Sequence, residues 1–438
     1  MKRLLLPTVL SLFMAVSQAQ ETLHPGWQSA DIGPGVKPSF DFDALDQLHV
    51  MGMTETGGGV VWHAKAPTIA GPWTPVDVAT GYFYGPGDLR TDPSGNAHLA
   101  WHDHDSQSPH HVVVAPDGRT TDYILVSDGQ HDGWDNSLFV DAGGTVHMAC
   151  VDPSSFGAAH GLQYASFDGT AWTFNRSVSG SDSFMYGLNT SIVVDASGTP
   201  HVLYCQSGDW LASGKLVHAT AGSPEWIFET IDSGDAVGRF PTLAIDGSDN
   251  LHATWLDIDP SDSDHGTIQY GFLPAEGGAW QITLIDTFSA VHTGFSHARK
   301  SASIAVDVHD FPHVAYSDTE SLRYAVMTLD GWQTTSVLSH TEGIYKSLAV
   351  LRLDSTGRPA IAMWQSNEEG DTVRLLRQRP ATTGEGELDL GLEIEAGLVS
   401  YTTGGAGTYQ LQTSTDLKTW LPVGEPVVTD RDPTVIRP

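Results

Sequence analysis

The chain predicts an all-β fold, a seven-bladed β-propeller, on three observations. One phrase returns along its 438 residues: an Asp, a His six positions later, then a short apolar run. Copies start at Asp43 (DALDQLHVMG), Asp92 (DPSGNAHLAW), Asp141 (DAGGTVHMAC), Asp195 (DASGTPHVLY), Asp246 (DGSDNLHATW) and Asp307 (DVHDFPHVAY). A seventh, at Asp354 (DSTGRPAIAM), has lost its His. By subtraction the starts lie 49, 49, 54, 51, 61 and 47 residues apart. A period near 50 with turn signals and no helical stretch marks a propeller. Secondly, the copies are followed by further strand-like runs. Thirdly, the outer run missing after the last copy recurs near the start of the chain.

Taken in order, residues 1–19 read as an export signal. Lys2 and Arg3 form a charged start, an apolar core follows, and Ser17-Gln18-Ala19 fits a small-residue cleavage site. The apolar run is too short for a membrane span. A secreted or periplasmic protein without membrane insertion is expected. The propeller occupies residues 20–380. In its sixth unit, Ser303–Asp307 is a short apolar strand and Val308–Pro312 a turn. His313–Asp318, Leu322–Ala325 and Gly331–Val337 complete four antiparallel strands. Trp172, Trp226, Trp280 and Trp332 take one place in successive outer strands, where a large ring covers the gap between blades. The seventh unit stops near Arg379 without an outer strand. Gly26–Ile32 (GWQSADI) matches Gly331–Val337 (GWQTTSV) and is expected to complete that blade, so no open edge remains. Residues 381–387 read as a linker and 388–438 as a small β-domain that is expected to be incomplete at Pro438.

Removing Lys2 and Arg3 from the 21 basic residues leaves 19 against 53 acidic ones, a formal charge of −34. Such a surface repels nucleic acid and anionic lipid. Polysaccharide or glycan is the expected partner, and a monomer the expected state. Cys150 and Cys205 fall in equivalent strands of successive units. Facing sheets pack about 10 Å apart, too far for most disulfides, so two buried free thiols are expected.

The recurring His (His49, His98, His147, His201, His252, His313) cannot be catalytic six times in one site. Each is expected to bond the turn Asp of its own blade, as a buried polar group must find a partner. This phrase resembles the Asp-box of the broad sialidase-like (BNR-like) superfamily, with His in place of Trp and altered spacing. The stretch Tyr409–Trp420 (YQLQTSTDLKTW) resembles a β-domain appended to exported proteins of polysaccharide-degrading bacteria such as the Verrucomicrobia.

Chemistry is sought where the units differ: segments leading into inner strands and segments leaving second strands, which share one rim. Lead-in segments supply Tyr84 and Asp88, His131 with Asp135 and Asn136, Tyr186 and Asn189, Arg239, His297 with Arg299 and Lys300, and Tyr345 with Lys346. Arg239, Arg299, Lys300 and Lys346 form a cationic cluster in an acidic protein, which suits a uronate or sulfate. Asn136, Asn189 and Trp210 are further candidate substrate contacts. His102 and His104 are expected to point the same way on one strand, as a metal or proton-transfer pair does. Asp257, Asp259, Asp262 and Asp264 offer four carboxylates for Ca2+, without the Gly and terminal Glu of an EF-hand loop. No Ser-His-Asp arrangement, phosphate loop, CxxC or HExxH motif is visible.

The architecture is similar to propeller polysaccharide lyases, and His131–Ser137 (HDGWDNS) resembles a His-Asn motif that some carry, with Asp135 where the His is expected. The resemblance implies β-elimination on a uronate polymer. Arg239, Arg299 or Lys300 would neutralise the carboxylate, His104 or His297 would take the proton, and Tyr84, Tyr186 or Tyr345 would protonate the leaving oxygen. A hydrolase using paired carboxylates such as Asp103 and Asp152 is an alternative. A non-catalytic glycan-binding propeller is another; its multivalent form repeats binding residues from blade to blade, whereas these rim residues differ.

Overall fold

The computed structural model describes residues 21–380 apart from 55–58, 107, 126–133, 153–160, 176–189, 208–212, 223–224, 260–261, 290–301, 318–320, 329, 340–348 and 368–369. Beyond Pro380 it describes only the backbone of short strands between Gly391 and Ile436. Every regular element among the described residues is a strand, and seven antiparallel sheets of four strands form the blades. Their innermost strands are Val36–Phe42, Phe83–Thr91, Trp134–Val140, Thr190–Val194, Arg239–Ile245, Ala302–Val306 and Val350–Leu353, which number blades 1 to 7. The expected seven-fold ring is present.

Ring closure follows the expected route. Trp27–Pro34 pairs antiparallel with Gly370–Gln378 as the outer strand of blade 7, with Trp27 opposite Gln378 and Asp31 opposite Arg374. The chain also does something the sequence did not suggest. Thr22–Leu23 first adds a fifth strand to blade 6, opposite Leu338 and Ser339, before crossing to blade 7. The N-terminal segment thus ties two neighbouring blades together. Glu21 accepts from Arg374 Nη1 at 2.7 Å and from Gln365 Nε2 at 2.8 Å.

Core residues collect between blades, one cluster per gap. Met51, Met53 and Val61 of blade 1 meet Leu89, Leu99 and Trp101 of blade 2. Ile32 and Val373 of blade 7 meet Phe40 and Val50 of blade 1. Polar groups add a second link near the axis. Four residues before the repeat Asp stand Ser39, Asp88, Ser137, Ser191, Thr242, Ser303 and Val350. Several of these accept a backbone N–H from the next blade: Leu89 to Ser39, Leu138 to Asp88, Leu243 to Ser191 and Leu351 to Ser303, all at 2.9–3.0 Å. Burying a backbone N–H requires such a partner.

The repeat histidines are structural, as expected. Each Nε2 lies 3.1–3.5 Å from its own turn Asp, from His252–Asp246 at 3.1 Å to His201–Asp195 at 3.5 Å. Each Nδ1 meets a third-strand residue two positions before its cross-strand neighbour. That residue is His63, His111 or His218 in blades 1, 2 and 4, and Tyr164, Tyr270 or Tyr324 in blades 3, 5 and 6. In blades 2 to 6 a Trp at the outer strand of the following blade then packs on it. Trp172 meets His111, Trp226 meets Tyr164, Trp280 meets His218, Trp332 meets Tyr270 and Trp27 meets Tyr324, at centroid distances of 5.2–5.5 Å. The tryptophans do cover the gaps. In blade 7, Arg377 and Arg358 bind Asp354 directly where the His is missing.

Both cysteines are buried and free. Arg379–Pro438 forms a separate unit of paired short strands, with Gly391–Glu395 against Leu398–Thr403 and the latter against Thr434–Ile436. Residues 1–19 and the linker 381–387 lie outside the described residues.

Candidate functional site on the lead-in rim

Inner strands enter the ring through a local distortion. In blades 1, 3 and 5 the pairing with the second strand skips a step between Val36 and Ser39, Trp134 and Ser137, and Arg239 and Thr242. Lys37, Asp135 and Phe240, each six residues before the repeat Asp, adopt left-handed φ of 54°, 48° and 52°. A bulge re-aims its neighbours and commonly borders a functional rim. Non-glycine residues held there cost of order 1–3 kcal/mol each. Neither Lys nor Phe is a habitual left-handed residue, so residue type gave no warning of this shared geometry.

Blade 5 carries the most developed chemistry among the described residues. Three positive-φ residues in succession, Ala236 (57°), Gly238 (69°) and Phe240 (52°), curl the lead-in over the end of the second strand. A side chain at Gly238 would press on Leu216, with a Cβ only 2.8 Å from its Cβ. The curl brings the Gly238 N–H to Asp257 Oδ1 at 2.9 Å. Arg239 pairs with Leu256, the residue before Asp257. Burial pushes the Asp257 carboxyl up to about 6, against the Gly238 hydrogen bond, and the negative charge of Asp232 on blade 4 adds to the rise. Cys205 lies beneath, its thiol pushed up to about 11 by burial, with Arg239 opposing the shift and Asp257 adding to it. A half-buried carboxyl raised toward neutrality, on a strand register next to an arginine, is suited to acid–base work on an anionic substrate.

Blade 2 holds the histidine patch, arranged differently from expectation. The second strand ends at Asp103, so His104 lies in the following turn rather than beside His102 on a strand. His102 is fully buried, whereas the His104 ring packs edge-on against exposed Tyr82 at 4.9 Å and the His104 backbone N–H donates to the Tyr82 carbonyl. Turn formation after Asp103 explains the break: its carboxylate accepts the N–H groups of Asp105 and Ser106. Asp103 also lies 3.4 Å from His110. Tyr84 is on the inner strand opposite His102.

Around a seven-membered ring, blades 2 and 5 are three steps apart, so His102 and His104 are separated from Arg239. Asn136 is buried next to the bulge residue Asp135 of blade 3. Asp88 is not on the rim: it is buried within the axial channel. Asp259, Asp262 and Asp264 belong to the second and third strands of blade 5, with Asp259 opposite Asp262, but their side chains fall outside the described residues. Tyr186, Asn189, Trp210, His297, Arg299, Lys300, Tyr345 and Lys346 also lie outside them. Among the described residues no group of three or more His, Cys, Asp or Glu is arranged to hold a metal.

The channel contains a charged cluster that the sequence reading missed. Two positions before the repeat Asp stand Asp41, Arg90 and Arg352, where other blades have Phe139, Val193, Ala244 and Ala305. Arg352 lies 3.8 Å from Asp41 and 3.6 Å from Asp88, and Arg90 is 3.5 Å from Asp88. Asp88, Arg90 and Arg352 help enclose a channel cavity of about 50 Å3 with Ser137, Thr242 and Ser303. Aligning the seven units column by column would have exposed this departure.

No protein-family model and no curated protein matches the chain. Solved structures similar to it include the BP39L lectin from Burkholderia pseudomallei, 14% identical with a TM-score of 0.52, covering 78% of this chain and 95% of that one. A streptogramin B lyase is 9% identical with a TM-score of 0.49 over 80% of this chain and 97% of the other. An α-L-arabinanase from Penicillium chrysogenum is 12% identical with a TM-score of 0.46 over 68% and 93%. At such identities the likeness is one of fold: the chain is a seven-bladed β-propeller.

Proposed function

We propose that the protein is an exported carbohydrate-active propeller enzyme that cuts an anionic, uronate- or sulfate-containing polysaccharide, by β-elimination. The supporting observation is the place of Arg239 opposite Leu256, one residue before Asp257, whose burial raises its carboxyl to about 6. Arg239 would neutralise the uronate carboxylate and thereby acidify the neighbouring carbon. Asp257, ionised above about 6, would take that proton. The carbon–carbon double bond forms as the glycosidic carbon–oxygen bond breaks, and the leaving oxygen receives a proton from a rim acid, for which Tyr84, Tyr186 and Tyr345 are candidates. Lead-in segments of blades 6 and 7, with Arg299, Lys300 and Lys346, would extend the anion-binding track. The fold likeness to a lectin supplies architecture only, so the reading rests on these residues.

A hydrolase is the second reading, because a carboxyl raised to about 6 with another carboxylate, Asp232, close enough to raise it also suits a glycosidase acid. One experiment separates the readings. The purified chain is incubated with a panel of uronate and sulfated polymers, following both new reducing ends and the ultraviolet absorbance of unsaturated uronate. Both signals are expected, and both should fall in Asp257→Asn and Arg239→Ala. Reducing ends without absorbance would replace the lyase with the hydrolase. Binding without either signal would leave a non-catalytic glycan-binding propeller.

A further inference from the structure

Between blades 4 and 5, on the rim opposite Arg239 and Asp257, lies a cleft of about 360 Å3. It is bounded by turns that join first to second and third to outer strands, whereas the lead-in segments lie at the other strand ends. Local sequence makes the room. In blade 5 the third strand ends at Leu273 and the outer strand starts at Gln281, whereas blade 6 passes from Thr328 to Gly331. Gly277 and Gly278 take φ of 85° and 125° to carry this longer turn outward. The turn is fixed rather than loose: the Ala275 N–H donates to Asn250 Oδ1 and the Gly277 N–H to the Pro274 carbonyl, each at 2.9 Å.

The floor is the His201–His218 pair, 3.1 Å apart, with Thr220 Oγ1 3.2 Å from His218 Nε2. Its His201 is the most exposed of the six repeat histidines. His201 and Asp195 keep 15% and 21% side-chain exposure, against 3% and 1% for His252 and Asp246 in blade 5. Glu229 Oε2 stands 4.0 Å from His218 Nδ1. Carboxylates of Asp195, Asp249 and Glu229 border the cleft, no Lys or Arg does among the described residues, and Leu273 with Ile227 gives it an apolar side. A site rich in acceptors and lacking cations favours a donor-rich ligand and rejects anions. Burial keeps both imidazoles from carrying charge at neutral pH, His218 being lowered to about 3.

We propose that this cleft is a second glycan-contact site, taking one non-anionic sugar ring and preferring an amino sugar. Its hydroxyls would donate to the carboxylates, its ammonium would face Glu229, and its C–H face would lie on Leu273. The volume falls in the range of small-ligand pockets. The inference does not depend on the chemistry assigned to the opposite rim. The test is titration of the full chain at pH 7 with D-glucosamine, D-glucose and D-glucuronate, read by ligand-observed NMR. Saturable glucosamine binding is expected, glucose should bind more weakly, and glucuronate should not bind. Glu229→Gln should weaken glucosamine about tenfold, the size of a lost charge-assisted hydrogen bond. Thr220→Val should weaken both neutral and aminated sugars, while Asp257→Asn on the other rim should leave glucosamine affinity as in the wild type. Non-saturable glucosamine signals, equal binding of glucuronate, unchanged affinity in both cleft variants, or loss in Asp257→Asn would each overturn the proposal.

Discussion

Three blades place a second imidazole where the other three intact clusters place a tyrosine hydroxyl, and this difference predicts acid sensitivity. His218 is the most informative case. Burial, followed by repulsion from His201, lowers it from 6.5 to about 3. The unfolded chain therefore binds a proton that the folded blade refuses, and stability falls as pH drops from about 6.5 toward 3. Between pH 8 and pH 5 the linkage relation gives about 2 kcal/mol lost through this one group. His218→Tyr should remove that term. A tyrosine hydroxyl at the equivalent place bonds the repeat His at 2.8 Å in blades 3 and 5, and the adjacent cleft offers room for the larger ring. Urea unfolding of wild type and variant at both pH values measures the effect. The variant should lose less stability on acidification by about 2 kcal/mol, roughly 0.7 M in midpoint at a slope near 3 kcal/mol/M. An identical pH 8-to-5 drop in both proteins would refute the linkage between the buried imidazole and acid stability.

The remaining predictions concern the ring itself. Trp27→Ala strips the closing strand of its buried anchor, 2% exposed and packed on Tyr324, and should cost about 3–5 kcal/mol, seen as a lowered thermal midpoint. An unchanged midpoint would mean the ring closes without it. Asp354→Ala leaves buried Arg377 without its carboxylate and should cost about 3–5 kcal/mol in the same assay, whereas the double change with Arg377→Met should recover much of it. Cys150 and Cys205 should resist a thiol reagent at pH 8 in the folded protein and react once urea unfolds it, since both are buried and Cys205 holds its proton to about 11. Fast labelling of the native chain would contradict that burial.

The ring was legible because its signals are periodic and local. The spacing of the turn Asp and its His is a within-hairpin property, so one unit read correctly gives them all. Even closure was legible, since Gly26–Ile32 repeats the text of an outer strand whose partner is missing. Partners of the repeat His were harder. His63 and Tyr164 sit two positions before its cross-strand neighbours, so they emerge only when the third-strand register is known. The rim was least legible. Lead-in segments have no shared phrase to align, and the left-handed bulges at Lys37, Asp135 and Phe240 use three unrelated side chains for one backbone shape. Asp257 was noticed only as one of four neighbouring carboxylates. What distinguishes it is the Gly238 segment folding over it, a tertiary fact.

These two kinds of position follow from how the ring is held. Each gap has its own apolar cluster, and the Asp–His–Trp contacts join one blade to the next, so the repeated residues cannot drift independently of their neighbours. Channel and rim side chains lie outside these apolar clusters and can change with less effect on the packing of the gaps. That is where the chain departs from its own symmetry: Arg90 and Arg352 among apolar counterparts in the channel, Arg239 and Asp257 on one rim, and the lengthened turn at Gly277 on the other. A repeat architecture whose stability resides in its gaps thus leaves its two faces free to acquire different chemistries. If that is right, Glu229→Gln should alter ligand behaviour on its face while leaving stability within the about 0.5 kcal/mol usual for changes outside the core.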